Sequence, residues 1–261
     1  MCLILFAYRQ HADYPLLLIA NRDEYYARPT QDAHWWDDAP VFAGRDLEAG
    51  GTWLGITRRG RFAAVTNVRE AGGMQSGKKS RGELTQNFLA GDATPRLYLE
   101  QLAAHDRDYA GFNLLLGEAG NFWFYSNRDR GIRRIEPGIY GISNGAFDEP
   151  WPKLSSGKDE LAALLQAKII TGDLMEILTD HQVAVDHKLP QTGVSLDIER
   201  MLSSRFIRSP EYGTRACTVL TIDRERCVDF SEQNFRDADH DGDLIHENFH
   251  LESQNNSGSE Q

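Results

Sequence analysis

Cysteine is scarce in this chain: three in 261 residues, at positions 2, 217 and 227. An odd, sparse count excludes a disulfide framework and suits a reducing compartment. No apolar run approaches the roughly 20 residues that span a bilayer, which excludes a transmembrane helix. The start, MCLILFAYRQ, lacks a basic leader, a long apolar core and a small-residue cleavage site, so no secretory signal is expected. These absences predict a cytoplasmic protein with no stable membrane insertion. Basic charge is outnumbered, 28 Lys and Arg against 39 Asp and Glu, for a net charge of −11. That field disfavours nucleic acid and anionic membrane as partners. One local exception, MQSGKKSRGE (74–83), puts Lys78, Lys79 and Arg81 in an expected loop that could meet an anionic ligand, although solvated surface is the commoner fate of such a stretch.

No internal repeat and no break in composition marks a linker, so one large layered domain is expected over residues 1–250. The polar end, LESQNNSGSEQ (251–261), is expected to be disordered. What is present is strand-forming. CLILFAYR (2–9) and LLLIANRDE (16–24) flank a turn at HADYP, and both runs are nearly continuous rather than alternating, so both faces should be covered. GGTWLGITRRGRFAAVTNVRE (50–70) and FNLLLGEAGNFWFYSN (112–127) read as further hairpins, and RIEPGIYGISNG (134–145) continues the sheet. RACTVLTIDRERCVDFSEQNF (215–235) reads as a last hairpin turning at DRER. RPTQDAHWWDD (28–38) is expected as a loop. Helices are expected over about 82–105, divided near Pro95, over 155–169 with a serine cap, and over 173–180. The order predicts an α+β domain with antiparallel hairpins, its covered strands lying between helix layers.

Cys2 directly follows the initiator methionine. If Met1 is removed, Cys2 carries both an α-amine of ordinary pKa about 7.7–8.0 and a thiol of about 8.5. One residue then supplies base and nucleophile, and no histidine is needed. The bland alternative is a small buried hydrophobe. NRDE (21–24) ends the second strand and puts Asn21, Arg22, Asp23 and Glu24 within reach of Cys2, where a carboxylate could hold the amine and an arginine could lower the thiol pKa. Asn67 and Asn144 end apolar strands. They are either turn formers or amide donors to a developing oxyanion. Arg215 leads into an apolar strand and could anchor an anion or lie along the surface.

The stretches MCLILFAY, LLIANRDE, RPT, GGTWLGI, GRFAAVTN, KSRGEL, GFNLLLG, YGISNG and YGTRACTVLTI resemble, in order over roughly residues 1–225, the NRDE or transport-and-Golgi-organization family. The resemblance implies the N-terminal nucleophile (Ntn) hydrolase fold, a four-layer αββα sandwich of two mainly antiparallel sheets. It also implies a distant likeness to choloylglycine hydrolases, whose N-terminal cysteine cleaves amides. In that likeness Cys2 takes the nucleophile position and Asp23 the amine-holding carboxylate. Asn67 and Asn144 take the oxyanion positions and Arg215 the site arginine, while Asn21, Arg22, Glu24 and Trp53 fall around the pocket. Those hydrolases carry a further arginine where this chain has Ala20. Arg22 is the candidate replacement, subject to the alternation of faces along a strand. The family resemblance implies a second activity, intracellular haem mobilisation by a carrier, with haem as cargo rather than a required cofactor. His34, beside Trp35 and Trp36, and Cys2 are the conceivable ligands. The two expectations are therefore a haem-handling protein and an N-terminal-cysteine amidohydrolase or acyltransferase acting on a small molecule.

DADHDGDLIHEN (237–248) matches a calcium loop at Asp237, Asp239, Asp241 and Gly242, but Asn248 stands where a bidentate glutamate is needed. His246 and His250 are four apart and could share a helical face. No metal site is expected.

Overall fold

Near-continuous apolar strands need cover on both faces. The computed structural model, which describes residues 2–70, 77–118 and 120–252, supplies it. The strands are β1 (Cys2–Tyr8), β2 (Leu16–Tyr25), β3 (Thr30–Trp35), β4 (Phe42–Asp46), β5 (Leu54–Ile56), β6 (Phe62–Asn67), β7 (Phe112–Glu118), β8 (Asn121–Ser126), β9 (Arg133–Arg134), β10 (Gly138–Ile142), β11 (Tyr212–Ile222), β12 (Cys227–Phe235) and β13 (Asp241–His250). The helices are α1 (Gly82–Ala90), α2 (Pro95–Ala103), α3 (Pro152–Leu164), α4 (Thr171–Leu178) and α5 (Leu196–Met201).

One sheet runs β10-β1-β2-β11-β12-β13 and the other β3-β4-β5-β6-β7-β8-β9, with antiparallel pairing throughout. Side chains of one parity along β1 and β2 (Ile4, Phe6, Leu18, Ala20) face Phe42, Phe62 and Phe124 of the other sheet. Those of the other parity (Leu3, Leu5, Leu17, Ile19) face Leu154 and Leu161 of α3 and Ile177 of α4. The second sheet repeats this, with Ala63, Leu114 and Leu116 turned to Leu84 and Phe88 of α1 and Leu99 of α2. Two sheets between two helix layers form the αββα architecture, and each large buried side chain contributes about 1.5–3 kcal/mol by leaving water.

Pro95 does divide the helical stretch, since it opens α2 at its first turn with Thr94 as side-chain cap. Three local expectations need correction. RPTQDAHWW is not a loop but contains β3, the edge strand of its sheet, where Trp35 packs on Phe42 and Phe249. The helix expected from Ser155 starts at Pro152, and Ser156 instead donates back to Pro152 O at 3.0 Å. The helix expected over 173–180 spans Thr171–Leu178. Residues 237–248 form no calcium loop. Asp237 Oδ1 accepts from the backbone of Asp239 and His240 in a tight turn, and Asp241 then enters β13. His246 and His250 therefore lie on a strand, with His246 Nε2 3.0 Å from Asp229. β4 and α5 were not anticipated. At the far end Leu251 N donates to Arg226 O and Glu252 N to Arg58 O, each at about 2.9 Å or less. The remainder of the expected tail, from 253, lies outside the described residues, as do Met1 and residues 71–76, which include 74–76 of the basic stretch.

Candidate functional site

The antiparallel register brings five strand ends to one place. Cys2 opens β1 and pairs with Arg22 near the end of β2. β10, paired to β1, runs out into Ser143 and Asn144, and β6 ends at Asn67. β11 enters beside the end of β2, with Thr214 opposite Asp23 and Ala216 opposite Arg22. Arg215 is the extra residue of this β-bulge. The bulge turns Thr214 Oγ1 onto Asp23 Oδ1 at 2.7 Å and releases the Arg215 guanidinium to donate from one nitrogen to Tyr25 O, Tyr26 O and Arg28 O.

Strand parity then divides the site into two faces. Ala20 and Arg22, two apart, share the inter-sheet side with Ile4 and therefore with Cys2. Arg22 thus lies on the same face of the strand as position 20. Arg22 is buried, stacks 4.1 Å over the Trp53 ring and donates to Thr30 Oγ1 at 3.1 Å. A Cβ on Gly44 would stand 2.3 Å from Trp53 Cη2, so glycine at 44 is what lets that ring lie against β4. Glu24 is turned to its own strand end, accepting from Tyr25 N at 2.9 Å.

On the helix face, Asn21 and Asp23 are almost fully buried. Asn21 Nδ2 donates to Leu178 O and Arg205 O, both at 2.8 Å, and so ties β2 to α4. Asp23 faces Lys153, which shares a buried stripe of α3 with Gly157 and Leu161 and donates to Leu202 O at 2.9 Å. Burial pushes the Asp23 carboxyl up, while Lys153 and Arg69 draw it back toward the charged form. Burial drives the Lys153 ammonium down to about 8, against the opposing pull of Asp23. Arg69 pairs with Glu199 at 2.7 Å. Burial likewise raises the Cys2 thiol, opposed by Arg22 and by a hydrogen bond from the Asp23 backbone.

Beside the cysteine, Ser143 Oγ donates to Cys2 O at 3.2 Å. Asn144 is fully buried, and its Nδ2 donates to Asn67 O and Asn67 Oδ1, both at 3.0 Å. An open cavity of about 460 Å³ starts at Arg69 and Asn144 and is lined further by Trp151, Lys188, Gln191 and Thr192. A second, of about 610 Å³, shares Pro150 and Lys188 with it and reaches Lys153, Asp180 and Arg205. Among the described residues, neither is lined by His, Cys, Met or Tyr. His34 lies on β3 with Nδ1 2.8 Å from Asp32 O.

The structure thus joins Cys2, Arg22, Asp23, Asn67 and Asn144 at one strand-end cluster, and places Arg215 at the loop that follows β2. Sequence reading missed Lys153 and Arg69. A lysine on the apolar stripe of WPKLSSGKDEL was the available signal for the first.

These features define a protein of the Ntn-hydrolase fold. Among solved structures, the chain is similar to the Caenorhabditis elegans N-acylethanolamine-hydrolyzing acid amidase ortholog, with a TM-score of 0.50 over 84% of this chain and 92% of that one, at 11% identity. Residues 1–237 match the family described as Transport and Golgi organisation 2, and the chain belongs to that family. It is 34% identical to the Bos taurus Transport and Golgi organization protein 2 homolog, over 92% of this chain and 95% of the relative, and 31% identical to the human one over the same shares. Among the described residues, no helix is long and apolar enough to cross a membrane.

Proposed function

We propose that this protein is an N-terminal-cysteine acyl-transfer enzyme, cleaving the C–N amide bond of a small molecule once Met1 is removed. One observation carries the reading: Cys2, the buried Asp23 carboxylate and the Asn67–Asn144 amide pair meet at a single strand end. The fold shared with an amidase supports it without naming a substrate.

Burial holds the Cys2 thiol protonated at rest, so attack needs a base. The Cys2 α-amine takes the thiol proton as sulfur bonds to the amide carbon. Asp23 stabilises the resulting ammonium from the helix side. The carbonyl oxygen becomes an oxyanion that the Asn67 amide N–H groups hold, oriented through Asn67 Oδ1 by Asn144, which is a positioning residue. The ammonium returns its proton to the leaving nitrogen, the C–N bond breaks, and water attacks the thioester with the amine again as base. Arg215 acts through the loop it clamps.

Haem carriage, implied by the family resemblance, is the weaker reading here. A carrier of a flat apolar macrocycle needs an apolar cleft, and the described residues that line the two cavities beside the site include charged groups (Arg69, Lys188, Lys153, Asp180) and no axial ligand type. The reaction is assigned to the cytoplasm, where the three free thiols stay reduced.

The test is incubation of untagged protein with an activated acyl ester, followed by mass analysis. A single acyl adduct on Cys2, absent in Cys2→Ala, is expected. Full acyl turnover by Cys2→Ala, or haem binding that depends on Cys2 with no adduct, would overturn the reading.

A further inference from the structure

The thiol side of the cluster carries a charge pattern that the acyl-transfer chemistry does not use. Arg22, directly across the sheet from Cys2, is 5% exposed. Arg81, at the start of α1, donates to Gly111 O at 3.2 Å. Gly111 O also accepts from Val68 N, the residue after Asn67, so Arg81 stands at the same strand ends. Burial lowers the pKa of both guanidinium groups, and each interacts electrostatically with Cys2.

Neither Arg22 nor Arg81 has an ion-pair partner among the described residues. The neighbouring cation, Arg28, is compensated: Asp46 lies 2.7 Å, Glu48 3.5 Å and Glu24 4.0 Å away. Arg22 has one hydroxyl and an aromatic face, and Arg81 one carbonyl. Glu24 acts on both guanidinium groups and Asp46 on Arg22, but only from beyond ion-pair distance, and both carboxylates are engaged by Arg28. Desolvating a guanidinium without a direct ion-pair partner is costly. The Cys2 thiol, held neutral by burial, does not offset it in the resting state. Two planar forks left with spare donors beside a reacting atom match the geometry of a carboxylate or phosphate.

We propose that Arg22 and Arg81 form a binding site for an anionic group, a carboxylate or phosphate, borne by the compound that reaches Cys2. This rests on reading Cys2 as the reacting centre and adds the substrate class: acyl compounds carrying an anion near the scissile bond, rather than neutral lipid amides. Trp53, flat against Arg22, walls the site on one side.

The test needs no turnover. Untagged protein is alkylated in parallel with iodoacetate and iodoacetamide, which differ by a carboxylate against a neutral amide. Cys227, half-buried and remote in the fold, is the internal reference. The iodoacetate-to-iodoacetamide rate ratio at Cys2 is expected to exceed that at Cys227 by about tenfold or more, as charge-assisted hydrogen bonds imply. Arg81→Gln should collapse the ratio toward the Cys227 value. Lys78→Gln, which removes a nearby exposed charge, should not. Inorganic phosphate and butyrate, added as competitors at matched ionic strength, distinguish the two sources of the anion. An unchanged ratio in Arg81→Gln, or equal ratios at the two cysteines, overturns the proposal. If Cys2 resists both reagents, calorimetric titration with phosphate and with butyrate decides, and absence of saturable, Arg81-dependent binding overturns it. Loss of the acyl adduct with the ratio intact would instead sink the acyl-transfer reading alone.

Discussion

Two carboxylates are buried in the same sheet, each accepting a hydrogen bond from a threonine of β11. Asp23 accepts from Thr214 at 2.7 Å and Glu232 from Thr218 at 2.9 Å. Burial raises both pKa values, but their surroundings differ. Asp23 lies among Lys153, Arg69 and the end of β1, so cations oppose the effect of burial. Glu232 lies between the sheets with Asp32 nearby, and a backbone hydrogen bond from Ala33 and the more weakly acting Arg22 leave it at about 7. Depth alone therefore does not separate the two carboxylates. Countercharge does: cations surround Asp23 at a strand end, while Glu232 in the interlayer settles its charge by taking up a proton.

Removing the centre of the first region has the largest expected effect. Cys2→Ala should abolish acyl labelling with little change in Tm, since a small side chain at a strand end is lost. Asp23→Asn should lower the acylation rate by about 100-fold or more, the scale of a lost acid–base partner. It should also leave Lys153 less easily protonated, which a lysine-directed reagent at pH 8 would detect. Equal acylation in Asp23→Asn and wild type would erase the distinction between the two carboxylates.

Glu232 supplies the next effect, on stability. It binds its proton more tightly in the folded than in the unfolded protein, so its contribution is complete below its ordinary value of 4.5 and is lost as pH rises through about 7. The difference corresponds to about 3 kcal/mol. Glu232→Gln should therefore raise Tm by several degrees at pH 8 and flatten the fall in stability between pH 5 and 8, read by calorimetry. A wild-type curve already flat over that interval would contradict the assignment. Arg215→Met should cost about 1–3 kcal/mol by freeing the carbonyls of residues 25, 26 and 28, while acylation changes by a few-fold at most. If acylation fell as far as in Asp23→Asn, Arg215 would belong in the site after all. Millimolar calcium should leave Tm unchanged, because 237–248 is a turn and an edge strand.

Much of this architecture is legible in the residues because the central strands serve two cores at once. CLILFAY and LLLIA carry apolar side chains of both parities, and only a layered sheet needs that. What escapes is set by tertiary pairing. β13 is charged and largely exposed, and its strand form comes from its ladder with β12 rather than from its own composition. β3 is polar for the same reason, as an edge strand with aromatic contacts on one side. Within the site, Cys2, Asp23, Asn67 and Asn144 are readable because they end recognisable strands. Lys153, Arg69 and Arg81 come from a helix, a loop and a helix start that only folding brings near, and no spacing along the chain encodes that approach.

The central claim is that Cys2 acts through its own α-amine, and intact-mass measurement of the purified, untagged protein tests it most directly. The account predicts a mass lacking Met1, with Cys2 as the mature first residue. Full retention of Met1 would leave Cys2 without the base that the reaction requires, and would contradict the account.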